Sequence, residues 1–359
     1  MIFGNRSSNA TGTKADYYRK RRLNVLFIIA FTVLAVASFF ITIGFGTYHI
    51  SLFDSLQVFI DHLTGNIRDE TADLYIWEYR VPRALGAILV GCSLSIAGVI
   101  MQNDFRNPLA EPYTMGISSG AFMGAILSIV FGISLIPFLS GIWGMVGNSF
   151  LFSLLPVAII VVIGRFKKMT PGLMILTGIA ILFMFSSITQ IIMVTAPAET
   201  MADAYAWRVG SLDRIRWDHL PVIAPLVIAL CILLWFFYKR LNVMYAGDKP
   251  SQTMGVEAQR TRMVTLVLAS LLTAATVSFT GTIGFIGLVG PHVARIFVGS
   301  DNRYLIPAAA AFGSAFIILA DTVAKVSGPD GLPVGVISSM VGGPLFIWIL
   351  VRQRKSAWM

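Results

Sequence analysis

Long apolar runs free of charge alternate with short polar connections from residue 23 to residue 351. A helix needs about 20 apolar residues to cross the hydrocarbon core of a bilayer. By that measure the runs at 23–46, 84–102, 113–132, 149–164, 173–196, 220–238, 263–284, 304–320 and 333–351 predict membrane spans, with one short element at 287–299. The pattern therefore predicts an all-α membrane protein of about ten transmembrane helices, in one domain at 23–352 between tails at 1–22 and 353–359. The first run follows KADYYRKRR and lacks a small-residue cleavage site, so it reads as a retained signal anchor.

Composition points the same way. The chain is 56% hydrophobic and 13% charged, with a mean hydropathy of +0.77, whereas a soluble domain carries about 25% charge. The formal charge of +9 is explained by sidedness. With the N-terminus inside, 20 of the 27 Lys and Arg fall in the tails and the connections on the cytoplasmic side. Arg68, Arg80, Arg83, Arg208, Arg214, Arg216 and Lys325 fall on the other. The asymmetry puts both termini in the cytoplasm of a multi-pass protein of the cell membrane. No basic, aromatic-interleaved soluble patch accompanies the charge, which excludes nucleic acid as a partner.

Candidate chemistry is sparse. Apart from the short eighth element, no Asp, Glu, Lys, Arg or His lies well inside a span, which counts against a proton-coupled secondary carrier. Cys92 and Cys231 sit in apolar runs and read as small core residues. His49, His62, His219 and His292 are scattered, with no HExxH or Cys/His spacing, so no metal site is expected. An intramembrane enzyme built on His292 and Asp321 is a rival reading, but His292 at the head of a short helix reads as structural. Gly120 and Gly124, Gly331 and Gly335, and Gly342 and Gly343 allow close approach of helix backbones.

The connection after the second run, NDFRNPLAEPYTMGISSGA, carries Pro108 and Pro112, which lack backbone donors and stop the helix before them. It therefore predicts a stiff turn at Asn107–Pro108–Leu109. Together with RVPRALGAILVGCSLSIAGVIMQ before it, and with GFIGLVGPHVAR, ADTVAK and LPVGVISSMVGGPLFIW later, this stretch resembles the FecCD family. These are the permease subunits of type II ABC importers for iron–siderophore complexes, haem and cobalamin. The resemblance runs in order from about residue 75 to 352.

The resemblance implies a homodimer around a central path, two cytoplasmic ABC ATPase subunits and an external substrate-binding protein. It makes Arg80, Arg83 and Lys325 docking cations for the binding protein, with Lys standing where Arg is usual. Asp321, four residues before Lys325, is an alternative partner for it. The cytoplasmic gate falls on Asn107, Pro108 and Leu109, and on Thr170 and Gly172 of KKMTPG. There Pro171 and Gly172 replace hydroxyl residues of some relatives. The cytoplasmic loop 239–262 corresponds to the ATPase-coupling segment, with Gly247, Gly255, Val256 and Glu257 matching. No GxxxxGK[ST] is present, so ATP and Mg belong to the partner ATPase, and no cofactor is expected on this chain. Iron(III)–siderophore is the expected cargo, with cobalamin and haem as alternatives.

Overall fold

The computed structural model describes residues 14–46, 48, 50–167, 169–328 and 331–352. His49, Lys168 and the tails at 1–13 and 353–359 lie outside the described residues. The chain opens with α1 (Lys14–Ile43), α2 (Leu52–Thr64) and α3 (Glu70–Asp73). A π-helical turn, Leu74–Arg80, then leads without a break into α4 (Val81–Asp104). A 3-10 turn at Pro112–Met115 precedes α5 (Ile117–Phe131), followed by α6 (Gly141–Phe166), α7 (Pro171–Thr195) and α8 (Ala198–Val209). The rest comprises α9 (Leu220–Phe236), α10 (Tyr238–Met244), α11 (Asp248–Thr253), α12 (Ala258–Thr280), α13 (Ile286–Val298), α14 (Asn302–Val326) and α15 (Val334–Arg352).

Each of the ten apolar runs is a helix. Among the described residues, six helices are long and apolar enough to cross a membrane, and α9 with α10, bent by 51°, makes a further span. The shorter apolar helices α5, α13 and α15 complete the set. The third run starts later than its apolar pattern suggests, because Pro112 and the left-handed Gly116 (φ 82°) hold its first residues in a tight turn.

Helix α4 is the axis of the molecule: nearly its whole length is buried among α12, α13 and α14. Small residues allow this. A Cβ on Gly98 would overlap the carbonyl of Gly287 on α13, and one on Gly124 would overlap that of Asn148 on α6. Several hydroxyls inside α12 bond back to their own helix, Ser270 donating to the Leu266 carbonyl at 2.7 Å and Thr273 to that of Ala269 at 2.9 Å. Outward-facing apolar side chains such as Ile29 and Val33 on α1, and Phe183 and Ile191 on α7, remain exposed, as a lipid solvent permits.

Between α12 and α13 the chain leaves the helix over residues 281–285, with Gly281 (φ 73°) and Phe285 (φ 68°) both at positive φ. Such a break frees backbone groups that hydrocarbon cannot satisfy. Here the Tyr113 hydroxyl donates to the Ile283 carbonyl and accepts from the Ile283 N–H, both at 3.0 Å. The Ser211 N–H covers the Thr280 carbonyl at 2.8 Å.

The Gly98–Gly287 contact predicts the effect of one methyl group. Gly98→Ala should lower the thermal midpoint of the detergent-solubilised protein, at a cost of about 1–3 kcal/mol for overpacking. An unchanged midpoint would mean that α4 and α13 do not meet backbone to backbone.

Candidate functional site

The candidate functional side chains gather at the two ends of the bundle. At the end where α1 finishes, Arg80 is buried and caps the last turn of α1. It donates to the Ile43 carbonyl at 2.8 Å and also to the Tyr48 carbonyl. Arg83, one turn on, holds both carboxylate oxygens of Asp321 through Nε and Nη2 at 2.7–3.0 Å, and its other arm meets Asp213. Lys325 lies 3.4 Å from the same carboxylate and 3.2 Å from the Thr42 hydroxyl.

Asp321 is thus shared by two cations on two helices, and the anticipated Asp321–Lys325 pair is part of a larger cluster. This corrects the expectation of spans without ionisable groups. Helix α14 runs on to Val326 and so contains Asp321 and Lys325, while α4 contains Arg83. Mutual pairing makes their burial tolerable.

A cavity of about 230 Å³ opens over this cluster, with Tyr79, Arg80, Arg83, Arg216 and Lys325 in its wall. The Arg216 guanidinium lies 4.5 Å above the Tyr79 ring and donates to the carbonyls of Asp213 and Ile215. Asp213 and Arg216 were not singled out as site residues in the sequence. Their only signal there is the dense polar run LDRIRWDH between two apolar stretches.

At the opposite end α4 closes in a Schellman turn: the Arg106 N–H reaches the Asn103 carbonyl at 3.1 Å and the Asn107 N–H reaches that of Gln102 at 3.2 Å. The Asn107 side chain then accepts from the Leu109 N–H at 3.0 Å, which with Pro108 between them gives a stiff turn. Leu109 at its tip is 49% exposed. Thr170 caps α7 by accepting from the Leu173 N–H at 3.3 Å, Pro171 takes the first helical position, and Gly172 has open space around it.

The loop 239–262 folds into α10 and α11. Gly247 (φ 111°) and Gly255 (φ 79°) bracket α11 with backbone conformations that other residues rarely adopt. Buried Ser251 donates to the Val243 carbonyl at 3.0 Å and so ties α11 to α10, and the Val256 N–H closes on the Ser251 carbonyl at 2.9 Å. Gly255, Val256 and Glu257 border a cavity of about 420 Å³ with Arg240 and Arg260. Asp248, the first residue of α11, meets Arg106 and lies 2.9 Å from buried Arg262. Partial burial alone would raise the Asp248 carboxyl, but the hydrogen bond and charge of Arg262, with Arg106 beside it, hold it below the usual carboxylate range.

His292 is buried, its Nδ1 2.7 Å from the Leu288 carbonyl and its ring edge-on to Phe346. Among the described residues no three His, Cys, Asp or Glu side chains converge as metal ligands. Cys92 and Cys231 are free thiols, yet they are neighbours, with sulfurs 3.8 Å apart across α4 and α9.

The sequence model of the FecCD transport family matches residues 34–352. The hemin transport system permease protein HmuU of Yersinia pestis is 37% identical over 292 residues, 81% of this chain and 87% of that protein. The cobalamin import system permease protein BtuC of Halobacterium salinarum is 36% identical, over 80% of this chain and 75% of that one. Other relatives, from Bacillus subtilis, are named for iron(3+)-hydroxamate and Fe(3+)-citrate import. A solved inward-facing ABC transporter of metal-chelate type superimposes with a TM-score of 0.80 at 26% identity, over 91% of this chain and 99% of that one. With fold, motifs and relatives in agreement, the chain belongs to the FecCD transport family and is a multi-pass membrane permease of an ABC importer for metal chelates, a transport subunit rather than an enzyme.

Proposed function

We propose that two copies of this permease form a translocation path along their shared axis and import an iron(III)–siderophore complex. An external binding protein delivers the chelate, and two cytoplasmic ATPase subunits, holding ATP and Mg, drive the cycle. Both termini are cytoplasmic. The observation that carries this reading is the division of labour between the ends: a cation-walled cavity at one, stiff turns and a glycine-bracketed helix at the other. Arg80, Arg83 and Lys325 line the base of the docking cavity, and Arg216 is its cation least committed to the interior. Asn107, Pro108 and Leu109, with Thr170 and Gly172, form the gate. Gly247, Gly255, Val256 and Glu257 form the coupling surface.

The siderophore reading is supported by the two relatives named for iron(3+)-hydroxamate and Fe(3+)-citrate import. Haem and cobalamin, after the relatives that carry those names, are the second reading. Uptake into proteoliposomes containing the permease, the ATPase and the binding protein, with a ferric hydroxamate, hemin and cobalamin compared, decides between them. Uptake of hemin or cobalamin alone would overturn the siderophore assignment.

Docking has a clean test at Arg216, whose partners are backbone carbonyls and a ring face rather than a buried carboxylate. Arg216→Glu should weaken capture of the loaded binding protein about tenfold, roughly 1.4 kcal/mol. It should also flatten the salt dependence expected of exposed charge pairs. Parental affinity would remove this cavity from docking. Arg80→Glu, by contrast, should lower the thermal midpoint itself, because it uncaps α1.

Gly255 tests coupling. A side chain there points into open space, so Gly255→Leu costs the fold only the left-handed backbone, about 1–2 kcal/mol. The variant should insert and assemble but lose ATP turnover stimulated by the binding protein. Transport at the parental rate would take Gly255 off the coupling surface.

For the gate, Leu109→Cys should crosslink to its twin in the state closed to the cytoplasm, which requires Cα atoms within about 7 Å. Cys92 and Cys231 must first be replaced, since an oxidant would find their adjacent sulfurs. Lack of crosslinking in every nucleotide state would move the gate to Thr170–Gly172.

A further inference from the structure

Arg106 occupies a position that favours glycine. It is the left-handed residue (φ 47°) of the Schellman turn that ends α4, where any side chain adds backbone strain. Among the described residues only one other non-glycine, Phe285, has a positive φ. The turn would close as well or better with Gly at 106, so the side chain has a use beyond the turn. That use is visible: its guanidinium pairs with Asp248, 142 residues away, on the first residue of α11.

Asp248 has a second partner of a different kind. Arg262, in the first turns of α12, is buried, donates through Nε to the Asp104 carbonyl at 2.7 Å and reaches Asp248 through Nη2 at 2.9 Å. The carboxylate is therefore the counterion of a buried cation and is fixed in place by it. Arg106 is the part-exposed arm, rooted immediately before Asn107–Pro108–Leu109. Helix α10, by comparison, is held to the bundle by hydrogen bonds without an ion pair: Asn242 donates to the Asp301 carboxylate at 2.7 Å and Asn103 to the Leu241 carbonyl at 3.3 Å.

We infer that Asp248 is a latch through which α11 moves the gate turn, with Arg106 as the gate's handle and Arg262 as the fixed anchor. A displacement of α11 changes the Arg106–Asp248 pair directly, and the stiff Asn107–Pro108–Leu109 turn carries that change to the exposed Leu109. These are positioning residues, and the inference rests on the gate and coupling assignments proposed above.

The decisive variant is Arg106→Gly, because a structural and a latching role move it in opposite directions. Glycine relieves the left-handed backbone, so the thermal midpoint should hold or rise. Transport per ATP hydrolysed in proteoliposomes, with the ATPase and the binding protein present, should nevertheless fall at least about tenfold. Leu109→Cys crosslinking should lose its response to nucleotide. Asp248→Asn should give the same uncoupling, and the double variant should be no worse than either single one, as expected when both remove one interaction.

Parental transport per ATP in Arg106→Gly overturns the latch, as does additive loss in the double variant. Failure of the gate assignment has a separate signature: Leu109→Cys in the background lacking Cys92 and Cys231, with Arg106 and Asp248 intact, shows no crosslink response to nucleotide. The latch is then decided by transport per ATP alone.

Discussion

The buried Asp321 carboxylate lies between the side chains of Arg83 and Lys325 and pairs with both. The cost of an unpartnered charge away from water shapes both ends of this molecule. At one end Asp321 binds α4 to α14, and Lys325 extends the cluster to Thr42 on α1. At the other, Asp248 answers buried Arg262 and joins α11 to α12. Each carboxylate serves two cations on different segments, so each fixes a geometry that apolar packing alone would leave free to slide. Between these points the bundle is held by close backbone contact and by a few hydroxyls that reach across helices, Ser93 to the Leu272 carbonyl and Ser314 to that of Ile88, both at 2.9 Å.

This arrangement separates side chains that bind the interior from those left facing outward. EYRVPR carries two arginines three positions apart. Arg80 turns inward to α1 and Arg83 to Asp321, which leaves Arg216, from a distant loop, as the cation least committed to the interior. In the same way NPLA presents Leu109 outward while Asn107 spends its side chain on the turn itself.

The spans were legible because apolar length is a local property, and the ten runs map onto ten helical elements with shifts only at their ends. The family motifs were legible because they are contiguous. What stayed hidden was of two kinds. Short helices such as α2, α8 and α10 carry mixed polar sequences, and their helicity depends on packing rather than pattern: buried Trp207 on α8, for instance, stacks on Phe122. Side-chain partners distant in sequence were also invisible. Arg80 meets a carbonyl 37 residues away and Arg83 a carboxylate 238 away, and no spacing in the chain announces either. The two cysteines, each correctly read as a small apolar-run residue, gave no sign that they are neighbours.

The single phenol that both donates to and accepts from Ile283 has a consequence for how this protein can diverge. Tyr113 and Ile283 lie 170 residues apart, yet the first must keep its hydroxyl because it holds the main-chain atoms of the second. A chimaera that takes residues 105–116 from a relative without a hydroxyl at this point would strand a buried carbonyl and N–H. One that takes 281–285 alone would keep the clasp, so long as no proline at 283 removes the N–H. The dependence therefore runs one way: at this contact the irregular segment before α13 tolerates exchange of its side chain, and the turn before α5 does not.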